Sequence, residues 1–182
     1  MWQNPFEASC TEESCASVEL RIIILKQKKI KIVDNLNKQE RSIMMSKIRS
    51  NNTKPEILLR KALFAKGLRY KINDKKLQGK PDIVLSKYKT VIFVHGCFWH
   101  NHKGCKRAHL PKSNIEYWEN KIRTNEERDL KNKESLKKLG WNVIVVWECE
   151  LNTTEKVEQV VINLIANLED FELNSRKKVV VL

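Results

Sequence analysis

No stretch of this sequence approaches the roughly 20 consecutive apolar residues that a bilayer-spanning helix requires. The best candidate, Val18 to Ile24, is short and is broken by Glu19 and Arg21, so no membrane segment is expected. An acidic, cysteine-containing stretch precedes that run and no small-residue cleavage site follows it. That pattern argues against a secretory signal and for a soluble, intracellular protein in a reducing compartment. No internal repeat appears, which excludes solenoid and propeller architectures. Cysteine is sparse and odd in number, five in all, and Cys97 and Cys105 sit among histidines; this favours metal ligation over a disulfide framework. Acidic residues are outnumbered, 22 against 35 Lys and Arg, for a net charge of +13. Such a balance is expected of a protein that meets phosphate backbones, but ribosomal and membrane-surface proteins share it, so specific residues must decide. The length, 182 residues with 41% hydrophobic content, is enough for one sizeable core and one domain.

The first 34 residues differ in texture from the rest. WQNPFEASCTEESCASVEL has no sustained period, and RIIILKQKKIKIV reads as an isolated basic strand. This segment, 1–34, is read as an N-terminal extension, disordered, forming an edge strand, or the product of an upstream start codon, ahead of a domain spanning 35–182. Cys10 and Cys15 within it are read as ordinary reduced thiols. Asn37 to Ile48 suits a basic helix carrying Ile43, Met44, Met45 and Ile48. Thr53 with Glu56 three residues on, and Pro55 in the first turn, predicts a capping box ahead of a helix over Ile57 to Lys66, stopped by Gly67. Leu68 to Ile72 alternates as a strand does. Leu77-Gln-Gly-Lys-Pro is a turn that delivers Asp82 onto a short apolar strand, Ile83 to Leu85, and the β-branched run Thr90 to His95 predicts a second, buried strand. Asn114 to Lys138 is long, charged and helical, with Ile115, Trp118, Ile122, Leu130, Leu136 and Leu139 expected on its inner face and Gly140 as its stop. Asn142 to Trp147 predicts a third buried strand. Val157, Val160, Val161, Leu164, Ile165 and Leu168 fall at helical spacing and predict a C-terminal packing helix; the final VVVL is a candidate added strand.

All four histidines lie within HGCFWHNHKGCKRAHLP, His95 to Pro111. Zinc takes four soft or borderline ligands in a tetrahedron, and C-x4-H-x2-C supplies Cys97, His102 and Cys105 from one loop. Cys149, just past the third predicted strand, is the expected fourth. Four protein ligands leave no open position, so this zinc is expected to be structural. His95 and His100 remain, near Asp82 in GKPD. An acid on a short strand, followed after a tight turn by a second buried strand, is how metal-dependent nucleases place a carboxylate against a scissile phosphate. Such sites usually add a second acid and a lysine on the next strand. Here that stretch is Phe93-Val94-His95, so either the site is inactive or a backbone carbonyl and histidines fill those roles. Phe98 and Trp99 are adjacent aromatics on a basic loop, suited to insertion between base steps, with core packing of one of them an equal alternative. Trp118 joins that wedge or packs in the core with Ile115 and Ile122.

GKPDIV, VIFVHGCFWH, PKSNIEYWENKI, NEERD and LGWNVIVVWECEL, in that order, resemble the very short patch repair (Vsr) endonucleases from about Glu40 to Leu151. The resemblance implies an α/β fold similar to type II restriction endonucleases, of the PD-(D/E)XK type, with a central mixed sheet flanked by helices and one structural zinc. It implies strand-specific nicking 5′ of the thymine in a T:G mismatch left by 5-methylcytosine deamination. By position, Asp82 is implied as ligand of catalytic Mg²⁺ assisted by the backbone carbonyl of Val94, His100 as general base oriented by Asp129, and His95 as a contact to the phosphate region. Glu56 is either a further carboxylate near the metal or only a helix cap. Phe98, Trp99 and Trp118 match the intercalating aromatics, and Met45 matches a residue wedging from the other groove. The implied partner is mismatched duplex DNA, acted on by a monomer in a prokaryotic cytoplasm, at the nucleoid, in contact with mismatch-repair proteins. The loop from Cys97 to Cys105 is one residue longer than the family form, with Lys103-Gly104 before Cys105. Two other readings compete: a related restriction-type nuclease, and a zinc-stabilised DNA-binding module without cleavage.

Overall fold

A computed structural model describes residues 38–47, 49 and 51–180. The expected extension over 1–34, with Cys10 and Cys15, and the side chains of Met44 and Ile48 lie outside the described residues. The chain divides into two units between Ser46 and Lys47. The described part of the first is one helix, α1 (Lys38–Ser46), which ends short of the expected Ile48. Its stop has a local cause: the Ser46 hydroxyl donates to the Ile43 carbonyl at 2.8 Å, taking an acceptor that a further turn would have used. Met45 and Ile43 are exposed on it.

The second unit runs α2 (Lys54–Ala65), β1 (Ile83–Leu85), β2 (Thr90–His95), α3 (Ile115–Lys138), β3 (Asn142–Trp147) and α4 (Thr154–Val180). The capping residues act as the sequence predicts. Thr53 is extended ahead of α2, and the Glu56 carboxylate accepts from the Thr53 backbone N–H and hydroxyl at 3.2 and 2.6 Å. The strands form one mixed sheet in the order β1-β2-β3. β1 pairs antiparallel with β2, Ile83 opposite Ile92, and β2 pairs parallel with β3 from Thr90–Asn142 to His95–Trp147. A parallel pair needs a long crossover, and here α3 supplies it.

Alternation along the strands sorts side chains to two faces. Ile83, Leu85, Ile92 and Val146 face a large core built with Leu59 and Leu63 of α2, Leu151, and Val161, Leu164 and Leu168 of α4. Burial of each such aliphatic side chain contributes about 1.5–3 kcal/mol. Val84 and Val91 face the other way, against Leu136 of α3, with Phe93 and Val143 beside them. His95, two residues past Phe93, falls on that second face, and it is the last residue of β2, the central strand.

Four expectations are corrected. Leu68 to Ile72 is not a strand: Lys71 alone makes a bridge, to Val84, and Asn73 at φ 48 turns the chain away. The inner face of α3 is not Ile115, Leu130 and Leu139, which are all exposed, but Trp118, Ile122, Asn125, Asn132 and Leu136. Of the third strand only Val146 is buried, its neighbours being half-buried. The backbone of α4 stays helical through Val180, so the Val179–Val180 part of the terminal VVVL is not an added strand. No helix among the described residues is long and apolar enough to cross a membrane.

Candidate active site and metal centre

The loop after β2 folds back on itself through backbone bonds, His102 N–H to the Cys97 carbonyl and Cys105 N–H to the His102 carbonyl, at 3.0 and 3.1 Å. Gly104, at φ +76, takes a left-handed turn that a side chain would strain. The result gathers Cys97, His102 and Cys105, and the turn after β3 adds Cys149, so that one ligand atom of each lies within 4.8 Å of the others. His102 Nδ1 is 3.5 Å from Cys97 Sγ and 3.4 Å from Cys149 Sγ. A tetrahedral ion bonded at roughly 2.3 Å to sulfur and 2.0 Å to nitrogen separates the two atoms by about 3.5 Å, so the donor set fits such an ion. The His102 ring lies flat on Trp147, centroids 4.1 Å apart, which fixes its orientation. Burial pushes the Cys97 thiol up to about 12 and raises Cys149, whereas the Arg107 backbone N–H lowers Cys105. A bound cation would ionise all three, since a coordinating thiol is deprotonated.

Asp82 lies just before β1, half-buried, and its Oδ2 accepts the Val94 N–H at 2.7 Å. The Val94 side chain packs into the large core, so only its main chain reaches Asp82. Burial raises the Asp82 carboxyl to about 6; the Val94 N–H opposes this, Glu56 adds to it, and Arg60 and His100 oppose it. A carboxylate oxygen beside the main chain of Val94 is the oxygen donor chemistry that a hard divalent cation takes, and such an ion would relieve the penalty on the ionised form. Glu56 is buried beside it, 3% exposed. Its carboxylate is fully engaged: besides Thr53 it accepts from the Asn52 N–H at 3.0 Å and from Arg60 at 2.7 Å. Arg60 also donates to Asn52 Oδ1 at 2.6 Å and lies 3.5 Å from the Asp82 carbonyl.

His95 and His100 stack, centroids 3.8 Å apart. His95, 9% exposed, is lowered to about 4 by burial and then by His100. Nδ1 of His100 is hydrogen-bonded to Asp129 Oδ2. Burial opposes ionisation of Asp129, but the His100 bond and charge outweigh it and hold the carboxyl low; Arg128 reaches its other oxygen at 3.3 Å. His95, His100 and Asp129 thus form one compact group, bordered by a cavity of about 210 Å³ between α3 and the sheet.

The aromatics form a second group, Phe98 and Trp99 from the same loop and Trp118 from α3. Phe98 meets Trp99 edge to face at 5.1 Å and Trp118 at 5.2 Å, and Trp99 and Trp118 lie 6.0 Å apart. Trp118 is buried, while Phe98 and Trp99 are half-buried. The second unit therefore brings together Asp82 with Glu56 and Val94, the His95–His100–Asp129 group, the cysteine cluster and the three aromatics. Met45 belongs to the first unit. His109 is exposed and in neither cluster. Sequence reasoning missed Arg60, Asn101, Asn125, Glu126 and Trp147. Asn125 and Glu126 open the NEERD string, and Trp147 precedes Cys149, so the motifs themselves were the available signal.

Comparison with known proteins finds a family and several relatives that this chain resembles. A family model described as DNA mismatch endonuclease Vsr matches residues 33–107. Type II nicking enzyme V.NmeAIP of Neisseria meningitidis serogroup A is 51% identical over 139 residues, covering 76% of this chain and 99% of that protein. Type II nicking enzyme V.XorIIP of Xanthomonas oryzae pv. oryzae is 42% identical over 134 residues, 74% of this chain and 98% of that one. DNA mismatch endonuclease Vsr of Escherichia coli is 40% identical over 126 residues, 69% of this chain and 80% of that one.

Proposed function

Since this chain belongs to the DNA mismatch endonuclease Vsr family, we propose that it nicks duplex DNA on one strand, 5′ of the thymine in a T:G mismatch. It is a mismatch-specific DNA endonuclease; the T:G preference, the Mg²⁺ requirement and the residue roles are the finer reading. The observation that carries that reading is the hydrogen bond from His100 Nδ1 to Asp129, with Asp82 inside the electrostatic reach of the same ring.

With Nδ1 as the donor to ionised Asp129, His100 Nε2 keeps its lone pair and takes the proton of the attacking water. Asp129 orients the ring and stabilises the charge it then carries. His95 stays uncharged and offers a neutral contact to the phosphate. Asp82, with the main chain of Val94, would hold Mg²⁺, which supplies Lewis-acid stabilisation of charge on the phosphoryl oxygens. Cys97, His102, Cys105 and Cys149 would hold zinc and brace the loop that carries His95 and His100. Phe98, Trp99 and Trp118 are assigned to unstacking bases beside the mismatch, and Met45 to wedging from the opposite groove. The same reading takes 35–182 as the nuclease domain, with a restriction-endonuclease-like fold acting as a monomer in the cytoplasm.

Substitution tests it. Asp82→Ala and His100→Ala are expected to bind a T:G duplex as the parent protein does and to nick it at least about 1,000-fold more slowly. Normal nicking by Asp82→Ala would remove Asp82 from the chemistry, and loss of binding together with nicking would make it structural.

A further inference from the structure

Three consecutive residues of the catalytic loop are fastened to one helix. The Trp99 carbonyl accepts from Asn125 Nδ2 at 2.9 Å, His100 Nδ1 bonds Asp129, and Asn101 Nδ2 donates to Glu126 Oε1 at 3.0 Å. Asn125 and Asp129 are four residues apart on α3, hence on the same face one turn apart. Trp118, two turns earlier on that stripe, packs against Phe98 and Trp99. The helix therefore grips the aromatic group and the base from one continuous surface.

Asn125 is the least expected member. It is 6% exposed, on a helix position where a buried amide needs a partner to offset its desolvation, and its partner is a main-chain oxygen rather than a side chain. That oxygen belongs to the peptide unit joining Trp99 to His100. A peptide unit is planar and rigid, so holding the Trp99 carbonyl also sets the direction in which the His100 Cα leaves it. With Asp129 holding the ring, His100 is fixed at both ends. Any displacement of Trp99 has to act through the plane that Asn125 holds.

Resting on the reading of His100 as base and Trp99 as wedge, we propose that Asn125 is a positioning residue that couples insertion of the aromatic wedge to alignment of His100. Without its amide the wedge still enters the mismatch, and the base no longer arrives in line with the phosphate.

The test is a split between two signals in the full-length protein. Asn125→Leu keeps the shape of the side chain and removes the donor, and Asn101→Ala breaks the neighbouring fastening without touching a buried group. Wedge insertion is read from the fluorescence of 2-aminopurine placed beside T:G, nicking from single-turnover cleavage at saturating protein, and folding from thermal melting. Asn125→Leu is expected to keep the fluorescence change and to nick about 100-fold more slowly, the scale of a misplacement near 1 Å. Asn101→Ala is expected to show the same split at a smaller size, and carries the test if Asn125→Leu fails to fold. Parent-like nicking by folded Asn125→Leu overturns the proposal whatever Asn101→Ala does, and so does loss of fluorescence in step with nicking, which would make Asn125 a DNA contact or a packing residue. Asp82→Ala is run alongside: if it nicks normally, the fault lies in the assignment of the chemistry rather than in the coupling.

Discussion

The imidazoles of His95 and His100 lie face to face, 3.8 Å between centroids and 12° from parallel. Burial, and after it the charge that the stacked His100 would carry, lowers His95 to about 4. The neutral form of His95 is therefore favoured at neutral pH, and His100 is the ring of the pair that is hydrogen-bonded to a carboxylate.

In the proposed role of cation ligand, Asp82 is expected to set the acid side of the pH profile. Its carboxyl is raised to about 6, so it takes up a proton as the pH falls through 6 and can no longer hold a cation. Single-turnover nicking is expected to fall about tenfold per unit below that value. Because a cation competes with the proton for the same oxygens, higher Mg²⁺ should move this limb to lower pH. A limb that ignores Mg²⁺ would place its origin elsewhere.

The same shift makes Asp82 a liability to the fold. A folded-state value above the unfolded one means that the ionised form is penalised in the native state. Stability attributable to this group is thus gained as pH falls from about 6 toward 3.8 and is missing at neutral pH. Asp82→Asn keeps an acceptor for the Val94 N–H and removes the charge. In metal-free protein at pH 7.5 it is expected to be more stable than the parent, by up to about 3 kcal/mol, while losing nicking. Urea unfolding of the two proteins, with and without Mg²⁺, measures this; Mg²⁺ should narrow the gap by stabilising only the parent.

Much of this site is legible in the sequence because its residues are rare and clustered. The Cys97–Cys105 loop and Cys149 point to a candidate metal site through ligand chemistry alone, and the structure brings the four together. The three strands were readable because their β-branched runs are bounded by turns. The inner face of α3 was not. Its buried stripe passes through Asn125 and Asn132, with Asp129 between them facing His100, and hydrophobic periodicity is blind to polar residues whose burial depends on a partner elsewhere in the chain. Leu130 drew the eye because it is apolar, yet it is 58% exposed. Leu68 to Ile72 failed differently: its alternation is real, but Lys71 alone pairs with Val84, because pairing depends on where the next turn sends the chain. Glu56 was readable as a cap, and its link to Arg60 and proximity to Asp82 depend on how α2 lies beside β1.

The cysteine cluster makes a separate prediction. Cys149 comes from beyond β3 while the other three candidate ligands share one loop, so replacing it removes one proposed ligand without touching the loop's own turns. Cys149→Ser is expected to bind zinc at least about 100-fold more weakly and to melt at lower temperature. Added Mg²⁺ should not restore it. Elemental analysis after dialysis against a chelator, together with melting curves, gives the answer; parent-like metal retention would mean that Cys149 is not a ligand.

The central claim is that this protein cuts one strand at a mismatch. End-labelled duplexes carrying T:G, T:A or C:G at one position, in varied flanking sequence and with or without Mg²⁺, test it most directly. A nick confined to the thymine strand, 5′ of the mismatched base, is expected with T:G alone and only when Mg²⁺ is present. Equal cutting of the matched duplexes, or binding to T:G that never leads to a cut, would contradict it.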